Sequence, residues 1–560
     1  MFRFIRCTVV ALSCSLGALT TSAQSLTEGP LPPIRGNGLQ WLDWTIIIAY
    51  LLGVLAIGWY YARKQKDQEE YFIAARKPIH PTLIGISLFA TLMSTITYLG
   101  KPGEMINKGP FLIVGQFLSI PFVILIVGWI IIPVLMKVRA TSAYELLEAR
   151  LGAKVRLTGS LMFICLRIIW MSVLIYISSR VLITVMGLDA DMTYLVTILA
   201  ATVSITYAAM GGLRTVVITD VIQFGLLFMG AVLTIAIVTA STGGIGWVPR
   251  SWSPTWDNQP WFSWDPTVRV TVFNVVIAGI VWHVATYGSD QTSVQRFMAT
   301  KDIRAARRSF IVTQLATLIV MVVLGALGFA LLGFFTQFPS ALGEGMTIAN
   351  DADMLYPYFI AHYLPVGITG LVISGTLAAA MSSIDSGVNS ITAVVAKDIL
   401  PRFKHLPKAS SNDIRFTCWM AAGIGLCIVA LSFITQHIPG NISEMTNRSV
   451  NLLVQPIFAF FVLALWVPFA TPLGAFLGCV AGIGASVLVS FWSNFTGHVG
   501  ISYHFIGPVT LTADLAVALA VSKWGPPRDE ARRTQWVGWS GTCLILVLMV
   551  AIVLMGRSTA

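Results

Sequence analysis

Residues 378–390 read Ala378-Ala379-Ala380-Met381-Ser382-Ser383-Ile384-Asp385-Ser386-Gly387-Val388-Asn389-Ser390. They lie inside an apolar stretch, 365–396, long enough to cross a bilayer. On a helix, residues three and four apart share a face. Ala379, Ser382, Ser383, Ser386 and Ser390 therefore form one small, oxygen-bearing stripe. Hard cations take oxygen ligands, and hydroxyls with freed backbone carbonyls supply them. Small residues also let helices approach closely, so the stripe alone fits either role. Asp385 separates the two, because packing needs no carboxylate there and an ionisable group inside a span marks function.

The surroundings fit a membrane. The chain has 560 residues, 56% hydrophobic and 11% charged, with a mean hydropathy of +0.79. A soluble domain carries about 25% charged residues, so a chain this long and apolar needs lipid as solvent. The net charge of +11 is not a nucleic-acid signal, since the basic residues sit in short loops between apolar runs. The seven cysteines form no CxxC pair, and no His cluster shows metal spacing. Arg3 and Arg6, the apolar run 7–19 and Thr21-Ser22-Ala23 read as a secretion signal over 1–23. Residues 24–42 are then an extracellular segment, 43–556 the membrane domain and 557–560 a tail.

The apolar pattern predicts an all-α polytopic fold with about fourteen spans. They fall near 43–63, 79–100, 110–136, 157–187, 191–209, 216–240, 268–290, 309–335, 365–396, 416–436, 449–470, 472–493, 503–522 and 534–556. Arg63, Lys64 and Lys66 follow the first span and place that loop in the cytoplasm. Alternation then puts Lys137, Arg139, Lys154 and Arg156 inside. It does the same for Arg296, Lys301, Arg304, Arg307 and Arg308, for Arg402, Lys404, Lys408 and Arg415, and for Lys523, Arg528, Arg532 and Arg533. Every basic cluster falls on one side, which gives an outside N-terminus in a plasma (inner) membrane protein. There is no GxxxxGK[ST], HExxH or GxSxG motif, which argues against ATP-driven transport and against an enzyme. No organic cofactor, nucleic acid or obligate protein partner is expected. The expected partners are a small solute, coupling ions and lipid.

Three further places hold polar residues where lipid should be. The segment 87–100 carries Ser87, Thr91, Ser94, Thr95 and Thr97 without a clean period, and Pro102-Gly103 follow. A broken helix there would turn carbonyls toward an ion. Gly211-Gly212 reads as a tight cytoplasmic turn before Asp220, which either pairs with Arg214 or lines an ion pathway. Arg167 sits mid-span and needs an anionic partner, either an internal carboxylate or a bound solute. Arg180 nearer the end of that span reads as snorkelling.

These residues carry a family likeness. The chain resembles the sodium:solute symporter family over about 43–470. The ordered motifs are Tyr71-Phe72-Ile73-Ala74-Ala75-Arg76, the stretch 89–109 with Leu99-Gly100-Lys101-Pro102-Gly103-Glu104, and Thr141-Ser142-Ala143-Tyr144-Glu145-Leu146-Leu147-Glu148-Ala149-Arg150. Gly211-Gly212-Leu213-Arg214 with Thr219-Asp220, Asp290-Gln291 with Gln295-Arg296, and the 379–390 run complete the set. The resemblance implies two inverted five-helix repeats with ion and solute near the midplane. It implies a sodium site from the carbonyls of Ala90, Met93 and Ala379 and the hydroxyls of Ser382 and Ser383. Asp220, Ser382 and Ser386 match a second sodium site of some relatives, with Asp385 where a serine is expected. An added carboxylate there would tighten cation binding or admit a proton. The sugar carriers' polar positions hold Leu92 and Thr97 here, which points instead to the iodide, vitamin, monocarboxylate and sialic acid branches. The implied function is secondary active, sodium-coupled symport of a small organic anion, with proton coupling or a neutral sugar or amino acid as the alternative. Phe89, Ser94, Thr97, Tyr98, Arg167, Trp282 and Tyr287 are the expected pocket residues.

Overall fold

The computed structural model describes residues 38–65, 68–74, 78–137, 142–253, 256, 261–402, 414–435 and 442–525. The expected leader and the span near 534–556 lie outside these residues. Among the described residues there is no strand; helix follows helix. Among the described residues, ten helices are long and apolar enough to cross a membrane, or eleven if one bent pair counts as a span. The protein is a multi-pass membrane protein, as the hydropathy pattern predicted.

The site depends on a few of these elements. Helix α1 (Trp41–Ala62) is followed by the bent pair α2 (Pro81–Leu92) and α3 (Thr95–Lys108), which meet at 70°. Next come α4 (Phe111–Leu125), α5 (Ala153–Met186), α6 (Thr193–Ser241), α7 (Val272–Ser289), α8 (Gln291–Met298) and α9 (Ile303–Gln337). Helix α10 (Ala352–His362) is short, and α11 (Ile368–Val394) carries the serine stripe. Helices α12 (Ile414–Thr435), α13 (Ile442–Trp466), α14 (Pro472–Ser490) and α15 (Ile506–Trp524) complete the described chain.

Helix α11 is the hub. Every residue from Val372 to Val394 is buried, which is why its sequence is small and polar rather than uniformly large. Lipid-facing helices such as α1 leave Trp41, Ile48, Leu52 and Trp59 exposed. Asp43 of α1 reaches across to the start of α11. Its Oδ1 accepts from the amides of Gly367 (2.8 Å) and Gly370 (2.9 Å), while Oδ2 accepts from the Gln40 amide (3.0 Å). One carboxylate thus serves amides that two helix starts leave unpaired.

The double glycine falls where the sequence reading put a break. Residues 193–241 are two helices that meet at Gly212, whose φ 57° and ψ −166° are not helical. The two are joined at this glycine with no intervening loop. A side chain at Gly212 would meet the Tyr71 carbonyl oxygen at 2.6 Å, so glycine is required both for the positive φ and for the approach. Tyr71 donates its hydroxyl to the Ala209 carbonyl (3.0 Å) and holds the kink from the outside.

Candidate functional site

The break between α2 and α3 falls at Met93-Ser94. Met93 is extended (φ −85°, ψ 107°), and Ser94 follows as the N-cap of α3. Ser94 Oγ accepts from the Thr97 amide at 3.2 Å. In an unbroken helix that amide would serve the Met93 carbonyl. Ala90 lies in the last turn of α2, where carbonyls lack intrahelical donors. The sequence therefore releases the Ala90 and Met93 carbonyls by ending one helix and capping the next within two residues.

Opposite the break stands α11. Ser383 Oγ donates to the Thr91 carbonyl at 3.1 Å and ties the two helices together. Between them lies a cavity of about 10 Å³, lined by Phe89, Ala90, Met93, Ala379 and Ser382, with Gln223 and Phe224 of α6. That is room for roughly one water-sized body, so the cavity fits an ion and not an organic solute. Four residues of the expected sodium set line it; the fifth, Ser383, does not, and its hydroxyl is on the Thr91 carbonyl.

Deeper in the same layer is a buried carboxylate held by four helices. Asp220 of α6 accepts from Ser87 Oγ of α2 (2.5 Å), Ser382 Oγ of α11 (2.5 Å) and Arg296 Nη2 of α8 (3.1 Å). Arg296 also donates to Thr91 Oγ1 and Ser386 Oγ, each at 2.6 Å, and to Ser87 Oγ at 2.9 Å. Neither side chain of the ion pair is exposed. This corrects two sequence readings. Arg214 pairs with Glu70 at 3.2 Å and not with Asp220, because Asp220 lies six residues further along and faces α2 and α11. Arg296 is not a cytoplasmic loop charge; the structure buries it completely.

Asp385 does not join Asp220 and Ser386 around Arg296. Its Oδ2 accepts from the Tyr207 hydroxyl at 2.6 Å, and Gln223 Nε2 donates to the hydroxyls of Tyr207 and Tyr50, each at 3.2 Å.

The expected pocket residues divide. Phe89 lines the cavity and packs edge-on against Phe224. Ser94 and Thr97 hydrogen-bond to each other at the break (3.1 Å). Tyr98 meets the Tyr356 hydroxyl of α10 at 2.9 Å. Tyr287 is buried against Phe310, and Trp282 packs on His283; neither lines the ion-sized cavity. Arg167 forms an ion pair with Asp290, and its Nε has no hydrogen-bond partner among the described residues. Asp290 also caps α8 by accepting from the Thr292 amide (2.8 Å). Sequence reasoning missed Gln223, Tyr207 and the burial of Arg296. The run Asp290-Gln291 to Gln295-Arg296 was the available signal, for α8 docks on α11 through Gln295 and Ser390 (3.2 Å).

The model of the Sodium:solute symporter family matches residues 71–482. The chain is 30% identical to the sodium/sialic acid symporter NanT of Aliivibrio fischeri, over 80% of this chain and 87% of that protein. It is 30% identical to the sodium/sialic acid symporter SiaT of Proteus mirabilis, over 85% and 95%. Human sodium-coupled monocarboxylate transporter 1 is 26% identical over 81% of this chain and 74% of that one. Among solved structures, a substrate-bound, outward-open Na⁺-coupled sialic acid symporter superposes with a TM-score of 0.72 at 26% identity, covering 87% of this chain and 99% of that one. With the broken helix, the serine stripe and this match along most of its length, the chain belongs to the sodium:solute symporter family and is a membrane symporter, not an enzyme.

Proposed function

We propose that the protein imports a small organic anion, a carboxylate such as a monocarboxylate or a sialic acid, together with sodium. The observation that carries this is the ion-sized cavity between the Met93-Ser94 break and the α11 serines. Sodium there would take the carbonyls of Ala90, Met93 and Ala379 and the hydroxyls of Ser382 and Ser383. It would fix α2 against α11 and so favour the solute-binding arrangement. The anionic class is supported by the relatives, which carry sialic acids or monocarboxylates.

In this reading Arg296 supplies, as a tethered cation, the positive charge that a second sodium would bring among Asp220, Ser382 and Ser386. The fourteen spans, the five-plus-five repeat and the outside N-terminus are part of the same proposal. The 49-residue α6 supports the span count, since at about 1.5 Å per residue it exceeds twice the roughly 30 Å hydrocarbon layer. Inward sodium movement would gain about 2.3 kcal/mol per 100 mV for each charge.

The test is uptake into proteoliposomes of labelled N-acetylneuraminate, lactate and pyruvate, with external sodium or choline. Uptake of one acid that requires sodium and disappears in Ser382→Ala is expected. Uptake indifferent to sodium overturns the proposal.

A further inference from the structure

The Gln223 side chain is 2% exposed and lines the ion-sized cavity, yet its Oε1 has no hydrogen-bond partner among the described residues. A buried amide oxygen left unpaired is costly and calls for an explanation. The surrounding bonds supply one. A carboxylate oxygen can only accept, so the Tyr207 O–H must be spent on Asp385 Oδ2 (2.6 Å). The Tyr207 oxygen is then left as an acceptor, and only the NH₂ end of Gln223 can donate to it. Nε2 does so at 3.2 Å and reaches the Tyr50 oxygen at the same distance. The amide is thereby oriented with its nitrogen toward the tyrosines, and the Oε1 of this cavity-lining residue is left without a protein donor.

We propose that Gln223 Oε1 is a further ligand for the cation in this cavity, and that Asp385 acts as a positioning residue, orienting Gln223 through Tyr207. The inference rests on the sodium reading above and deepens it. An amide oxygen is the hard, neutral donor that sodium takes beside carbonyls and hydroxyls. The cavity is too small for an organic solute, so the ligand is the ion. Asp220 and Arg296 are the charged groups of the adjoining layer, and they satisfy each other (3.1 Å). Asp385 Oδ1 also lacks a partner among the described residues, but Asp385 is not among the residues that line the cavity, so its carboxylate acts through the hydrogen-bond chain and not as a direct ligand.

The experiment is a sodium chloride titration, balanced with choline chloride, of the melting temperature of the purified full-length protein in detergent. Gln223→Leu is expected to need about fivefold or more sodium for half of the stabilisation, with a sodium-free melting temperature near that of the unmodified protein. Asp385→Asn, which can still accept from Tyr207, should titrate normally. Asp385→Ala frees the Tyr207 hydroxyl to donate to Oε1 and should reproduce the Gln223→Leu shift. The double variant Gln223→Leu/Asp385→Ala should be no worse than either single one, a non-additivity that a merely structural role would not give. If Ser382→Ala loses its sodium response while Gln223→Leu titrates normally, the sodium site stands and the Gln223 ligand is wrong. If Ser382→Ala also titrates normally, both readings fall. Should Gln223→Leu not be recoverable, Gln223→Met keeps the length and removes the oxygen. It should show the same weakening of about fivefold or more, and an unchanged affinity overturns the proposal.

Discussion

Arg296 Nη2 stands 3.1 Å from Asp220 Oδ2, and solvent reaches neither side chain. The pair joins α8 to α6, while the guanidinium also donates to Ser87 of α2, to Ser386 of α11 and, through Nη1, to the Thr292 carbonyl of α8 itself. Removing one partner of such a pair strands a buried charge, which costs about 3–5 kcal/mol. Arg296→Ala should therefore lower the melting temperature more than Arg296→Ala with Asp220→Asn. Arg296→Lys should fall between the unmodified protein and Arg296→Ala, since an ammonium keeps the charge but not the fork of donors. Melting curves in detergent would check the order. A double variant as damaged as the single one would show that the pair is not where the energy lies.

A second expectation concerns Ser94. Its hydroxyl caps α3 and occupies the Thr97 amide (3.2 Å). Ser94→Ala loses a cap worth about 0.5–2 kcal/mol and frees that amide to pair with the Met93 carbonyl. Sodium affinity should fall by about two- to tenfold or more, and Ser94→Asn, also a capping residue, should restore most of it. A sodium titration unchanged in Ser94→Ala would mean that the Met93 carbonyl is not a ligand, or that the break persists without its cap.

Two periodicities made much of this legible in the sequence. Apolar runs gave the membrane class, and the three- and four-residue spacing of Ala379, Ser382, Ser383 and Ser386 gave the face that α11 turns inward. The break in 87–100 could be suspected because its hydroxyls follow no helical period. The partners of the charges were not legible. Arg296, at the end of a short amphipathic stretch, satisfies the same loop rule as Arg304 and Arg307. Only the fold shows that α8 is drawn under α11. Asp385 looked like a ligand because it shares a helix with the serines. One residue away from Ser386, however, a side chain points about 100° elsewhere around the helix, here to Tyr207. Gln223 carried no signal at all, since its role depends on which way an amide is turned by groups 16 and 162 residues distant in sequence from it (207 and 385).

Asp43 provides a third expectation, about stability alone. Its two oxygens serve three amides, at Gln40, Gly367 and Gly370, and the residue is fully buried. Asp43→Ala should destabilise by about 2–4 kcal/mol, the sum of a lost cap and buried amides left unpaired. Asp43→Asn should be milder, because one amide oxygen still accepts. The sodium concentration for half-stabilisation should not move in either variant. A sodium shift would mean that the α1–α11 contact feeds into the cation cavity.

The last expectation concerns motion. The hydroxyls of Tyr98 on α3 and Tyr356 on α10 lie 2.9 Å apart, and both side chains are fully buried. Helix α10 is also wedged close to α3 at Gly103, where an added methyl group would come within 2.8 Å of the Asp353 Cα. Alternating access requires α10 and α3 either to move together or to part. If they part on the way to the outside, their hydroxyl pair resists opening, and its loss should favour the open arrangement. Tyr98→Phe and Tyr356→Phe remove the same bond from opposite ends, worth about 0.5–1.5 kcal/mol. Both should speed amide hydrogen exchange across 352–362, Tyr356→Phe the more, because its hydroxyl also meets Thr234. The double variant should add nothing to Tyr356→Phe, since the Tyr98 bond is already lost there. Faster exchange in Tyr356→Phe alone would show that the Thr234 contact and not the hydroxyl pair holds α10, and unchanged exchange in all three would mean that α10 and α3 move as one piece.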